Sequence, residues 1–225
     1  MNNEIQKTQQ KKSMDELSKT INDPYISALL QFIPGGGSLT TLAQGNAIRM
    51  RKEKFEHLIN ELKEGGINEE EAAHSDEFIH CFIETLRAVE HVHQKEKISK
   101  IGELFISSYN NHKFSKVDEF EEYLKIISEV SLKEMRILCI IEDYESKTPR
   151  DSRYRNYWEE LSNKLINKKL ILNLDFIIST FVRLQRTGLY AIDAGAIMGH
   201  NGYSGELTSL YYSLRKLISG FQLNK

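Results

Sequence analysis

Two Glu-x-x-His pairs, Glu77 with His80 and Glu90 with His93, are the first residues in this sequence whose type and spacing could do chemistry. A carboxylate and an imidazole three positions apart share a helix face. In di-iron bundles, such pairs converge on metal from facing helices. Here both pairs fall on one predicted helix, thirteen residues apart. At 1.5 Å per residue that is about 20 Å, too far to share an ion. The helical angles also put Glu77 and His80 opposite the apolar positions, so the favoured reading is solvated polar residues. His74, His80, His91 and His93 form a loose histidine cluster. A zinc site needs convergent ligands with supporting hydrogen bonds, and this spacing demands neither. No catalytic residue, metal ligand or cofactor is therefore expected.

Other familiar chemistry finds no footing in the sequence. It contains no Cys-x-x-Cys, Walker lysine loop, nucleophile elbow or His-Glu-x-x-His. Gly35-Gly36-Gly37 lacks a following Lys-Ser/Thr, and the segment before it reads as helix, so it is expected to be a turn. Cys81 and Cys139 each sit in an apolar run and read as small buried hydrophobes. That usage fits a reducing compartment, and the expected location is cytoplasmic. The first twelve residues lack the apolar core of a signal peptide, and no eighteen consecutive residues are apolar.

The elements that would position these residues are helical. Only Pro24, Pro34 and Pro149 interrupt 225 residues. The polar residues 1–22 are expected to be a tail or a frayed amphipathic helix. A helix should run from Ser38 as cap to about Lys63, ended by Gly65-Gly66. The next should start near Asn68, with Ile79, Phe82, Ile83, Leu86 and Val89 on one face. Further helices follow over Lys95–Tyr109, Asp118–Val130 and from Ser131, where Glu134 completes a capping box. Two more span Tyr154–Lys168 and Leu174–Thr187. Tyr190–Gly205 is turn-rich, and His200-Asn201-Gly202 signals a hairpin. A last helix is expected over Glu206–Ser219. The predicted fold is all-α: a helical bundle over 23–112, then a winged-helix-like region over 113–225 bearing a small β-hairpin.

Charge and apolarity suggest two surfaces. Residues 24–48 carry no charge and are followed by Arg49, Arg51 and Lys52. On a membrane reading, Tyr25, Leu29, Leu30 and Phe32 would enter the lipid and the three cations would anchor to headgroups, giving a peripheral place at the inner membrane. Gln31, Gln44 and Asn46 disfavour it against a buried hairpin, because lipid leaves their amides unsatisfied. Residues 150–225 hold eleven Lys and Arg against six Asp and Glu; the remainder holds nineteen against twenty-six. On a winged-helix reading, Arg183 and Arg186 would contact nucleic acid, with a wing near Asn201-Gly202. Against this, Phe176, Ile177, Ile178, Phe181, Val182 and Leu184 make the same helix look buried.

Two segments carry a resemblance. Ile101-Gly102-Glu103-Leu104-Phe105, then Phe120 to Ser128 and Ser131 to Leu138, form one; Gly188-Leu189 followed by Glu206 to Leu210 forms the other. Together they resemble the bacterial abortive-infection alpha family of helical phage-defence proteins. The resemblance implies a cytoplasmic or membrane-associated defence component with no assigned catalytic residues. The expected function is a non-enzymatic interaction protein of phage defence or stress response, acting with a protein partner or as a homo-oligomer. A membrane-perturbing effector and a nucleic-acid binder are the alternatives.

Overall fold

A computed structural model describes residues 42–67, 75–112, 114–148, 150–171, 174–192 and 205–218. Among them are eight helices: α1 (Leu42–Glu64), α2 (Asp76–His91), α3 (Lys95–His112), α4 (Val117–Glu129), α5 (Leu132–Lys147), α6 (Arg150–Asn167), α7 (Leu174–Arg186) and α8 (Ser209–Leu217). Strands β1 (Tyr190–Ile192) and β2 (Gly205–Leu207) pair antiparallel, with Tyr190 opposite Leu207 and Ile192 opposite Gly205. The fold is all-α, with one small two-stranded sheet among the described residues.

Helices α1 to α4 pack around aromatic side chains. Ser75 caps α2, accepting from the Phe78 N–H at 3.2 Å, and Asp76 and Glu77 complement the helix dipole. Phe78, Cys81, Phe82, Leu86 and Val89 then face inward. On α3 the inward positions are Ile98, Ile101, Leu104, Phe105 and Tyr109. Gly102 sits where α1 crosses α3: a Cβ there would lie 3.3 Å from Glu61 Cβ, so only glycine allows the approach without adjustment. Ring centroids of Phe105 lie 5.3 Å from Phe78, 4.7 Å from Phe114 and 6.0 Å from Phe120. Phe114 holds a left-handed φ of 59° while 1% exposed. Burying such a ring is worth roughly 2–3 kcal/mol, enough to offset the strain.

Helix α5 organises the other half. Its capping box forms as the sequence predicts: Ser131 and Glu134 satisfy each other's backbone N–H. Met135, Ile137, Leu138 and Ile141 are buried. Helix α5 packs on α6 and β2, while α7 packs on β1, where the Phe181 and Tyr190 rings meet edge-on at 4.8 Å. The strands come within reach of each other because Gly205 has no side chain; a Cβ would collide with the Ala191 carbonyl oxygen. Buried apolar residues form one continuous cluster from Leu58 to Ile218. Helix α4 packs on α2 and α3, and α8 reaches back to α3, so this core crosses position 112.

Several boundaries differ from expectation: α2 starts at Asp76 behind its Ser75 cap, not near Asn68, and α6 starts at Arg150, not Tyr154. Helix α3 continues through Asn110-Asn111 to His112. The last helix starts at Ser209, not Glu206, because Gly205–Leu207 pair with β1 and Thr208 is the cap. Thr208 donates its hydroxyl to the Gly188 carbonyl at 2.6 Å and accepts from the Tyr211 N–H at 3.2 Å, so a single side chain ties the end of α7 to the start of α8.

Candidate functional site

Among the described residues, the histidines singled out in the sequence are not brought together. His80 lies opposite the buried side of α2, yet its Nε2 is 2.6 Å from Glu121 Oε1 on α4, with both side chains about half exposed. Glu77 is exposed, and hydrogen bonds from its own backbone N–H and from Ser75 hold its carboxyl below the usual range. Glu90 contributes its backbone carbonyl, which accepts from Lys54 Nζ at 2.7 Å. His91 and His93 are exposed, and His74 falls outside the described residues. Among the described residues, no three His, Cys, Asp or Glu side chains are grouped to hold a metal ion. Burial pushes the Cys81 thiol up to about 12 and the Cys139 thiol to about 11, with nearby carboxylates adding to the shift.

The membrane candidates Tyr25, Leu29, Leu30 and Phe32 lie outside the described residues, as does the glycine triplet. Arg49, Arg51 and Lys52 belong to the backbone of α1, and their side chains lie outside the description. No described helix is long and apolar enough to cross a membrane.

Polar chemistry inside the fold gathers instead on α5. Glu134, 5% exposed, accepts from Arg183 Nη2 at 3.0 Å besides capping its own helix. Lys97, also buried, donates to the Ser128 carbonyl at 2.6 Å, and desolvation lowers its pKa. Glu145, 8% exposed, accepts from the Leu207 N–H at 3.1 Å and from the Tyr212 hydroxyl at 3.4 Å. Leu207 faces Tyr190 at a pair that exchanges no backbone bonds, so its N–H points away from β1 and Glu145 supplies the acceptor. Glu142 receives the Tyr211 hydroxyl at 3.0 Å and Arg215 Nε at 3.3 Å. Burial, with Glu142 next, drives the Tyr211 phenol upward. Asp143 takes Lys147 and Lys164, whose hydrogen bonds hold its carboxyl down at about 2. These carboxylates fasten α6, α7, α8 and β2 to one helix.

The sequence reading missed Glu145, Glu142 and the reach of Glu134. A signal was present. Glu134, Leu138, Ile141 and Glu145 form an i, i+4, i+7, i+11 stripe, so the core-facing line of α5 has a carboxylate at each end. A buried carboxylate needs donors, and that need points to long-range partners.

Helix α7 corrects a second expectation. Its apolar residues do not all go inside. Ile177, Phe181 and Leu184 are fully buried, but Phe176 is 53% and Val182 47% exposed. Arg183 and Arg186 share that outer side with Asp175 and Ser179. Arg183 remains 58% exposed while paired with Glu134. This outer face of α7 is the candidate interaction surface: an aromatic, a valine and two guanidiniums on a helix pinned from behind.

Comparison of the chain with protein-family models, with curated proteins and with solved structures finds no match.

Proposed function

We propose that this chain is a non-enzymatic interaction protein that works within an assembly, making its contacts through the outer face of α7. The observation carrying this reading is the exposure of Phe176 and Val182 on a helix whose other side is fully buried. Aromatic and arginine side chains are enriched in protein interfaces, and a rigidly held helix face loses little freedom on docking. The ion pair from Glu134 fixes one end of Arg183, which lowers that cost further. A place in bacterial phage defence rests on the resemblance carried by Ile101-Gly102-Glu103-Leu104-Phe105 and the segments after it.

The test is expression in a bacterial host followed by phage challenge. The intact chain should lower plating efficiency, and Phe176→Asp, an exposed change that leaves the core untouched, should restore it at equal protein level. Unchanged plating with the intact chain across a broad phage panel contradicts the defence role. Equal protection by Phe176→Asp contradicts the assigned face.

A nucleic-acid reading has one observation in its favour, the outward placement of Arg183 and Arg186. It predicts DNA binding that weakens with salt and falls in an Arg183→Ala, Arg186→Ala double variant. Asp175 within the same face opposes a polyanion.

A further inference from the structure

We infer that the occupant of the outer face of α7 is a second copy of this chain, packed about a two-fold axis that passes through Ser179. The inference deepens the interaction reading above and rests on it. Its basis is the order of residues outward from Ser179. Three positions away on either side stand Phe176 and Val182, both apolar; four positions away stand Asp175 and Arg183, of opposite charge. At about 100° per residue these side chains all lie within roughly 60° of Ser179, on the side away from Ile177, Phe181 and Leu184. All five are exposed.

An isologous contact places a residue n positions before the axis against the residue n positions after it in the other copy. Phe176 therefore meets Val182 of the second copy, and Asp175 meets Arg183 of the second copy, each twice. A sequence meant for an unlike partner has no reason to be self-complementary in both hydrophobicity and charge. Ser179, small and on the axis, lets the helices approach to the close end of the usual 8–10 Å. Arg183 gives one Nη to Glu134, and a guanidinium has five N–H donors, so it can serve Asp175 of the second copy as well. Thirteen residues of helix are about 20 Å long, a contact at the small end for proteins, so association should depend on concentration.

Disulfide trapping in the full chain tests this. Ser179→Cys should give a cross-linked dimer under mild oxidation, because a residue on a two-fold axis meets its own copy. Gln185→Cys is also exposed but lies about 120° around the helix, and should stay monomeric. Cys81 is fully buried, and burial raises the pKa of the partly buried Cys139 thiol to about 11, so an engineered exposed cysteine reacts ahead of either. In sedimentation velocity, Phe176→Asp and Asp175→Arg should each weaken self-association at least tenfold with unchanged circular dichroism. Self-pairing is overturned if both cysteine variants cross-link alike, if neither does, or if the intact chain sediments as a monomer at on the order of 100 µM. A monomeric intact chain whose Phe176→Asp variant still loses phage protection overturns self-pairing alone. Trapped dimers with protection undiminished in Phe176→Asp overturn the functional reading alone.

Discussion

Tyr109 and Tyr211 are both buried tyrosines, and they show how differently the two halves of this molecule are held. Tyr109 packs edge-on against Phe78 at 5.7 Å, inside the ring cluster of α2 to α4, and its hydroxyl has no hydrogen-bond partner. Tyr211 is fully buried beneath α5, and its hydroxyl donates to Glu142. One half is held by apolar area, and there a polar atom is a small liability. In the other, a single helix offers carboxylates as fixed acceptors, and the pieces around it are tied on by donors. Carboxylate pegs are directional where burial is not. They can therefore set the orientation of short elements such as β2 and α8, and the pose of α7.

Breaking the aromatic half should produce the largest effect. Phe105→Ala removes a fully buried ring touching four others and should cost about 3–5 kcal/mol in chemical denaturation. A loss below about 1 kcal/mol would mean that this cluster does not carry the α2–α4 core. Next comes Glu145→Ala. It leaves the Leu207 N–H without its acceptor, for a loss of about 1–3 kcal/mol, while Glu145→Gln keeps an oxygen there and should recover most of it. If Gln is as costly as Ala, the peg account of β2 is wrong.

The tyrosines sharpen the contrast at smaller scale. Tyr211→Phe should destabilise by about 1 kcal/mol, whereas Tyr109→Phe should be neutral or slightly stabilising. Equal effects would erase the distinction between the halves. Smallest is the pH response at Asp143. Its folded pKa is depressed by Lys147 and Lys164, so its contribution is present above the ordinary carboxylate value and is lost as pH falls toward about 2. Because the site is well exposed, the wild-type advantage over Asp143→Asn should stay below about 1 kcal/mol at pH 6 and vanish near pH 2 in paired denaturation curves.

Much of this architecture is readable from residue spacing. The periodicity of Ile79, Phe82, Ile83, Leu86 and Val89 announces α2, although the buried line runs through Phe78 and Cys81 rather than Ile79 and Ile83, and Ser131 with Glu134 announces the start of α5. What spacing could not reveal were contacts between residues far apart in the chain. Glu134 finds Arg183 forty-nine residues on, and Glu145 finds Leu207 sixty-two residues on. Three-residue strands are too short for alternation to register, so β2 was absorbed into the helix after it. The outer face of α7 was masked by its own apolarity. Counting apolar residues suggested full burial, but a helix packed from one side buries only part of its circumference. Placing Phe176 and Val182 at their angles from Ile177 and Phe181 would have exposed them.

The most direct trial of α7 as the contact face compares two side chains of similar exposure on different helices: Phe176, 53% exposed, and Met50, 48% exposed on α1. Hydroxyl-radical labelling of the intact chain should fall at Phe176 and Val182 as protein concentration rises, and hold steady at Met50. Labelling that stays constant at Phe176, or falls equally at Met50, would contradict the assignment of α7 as the surface through which this protein assembles.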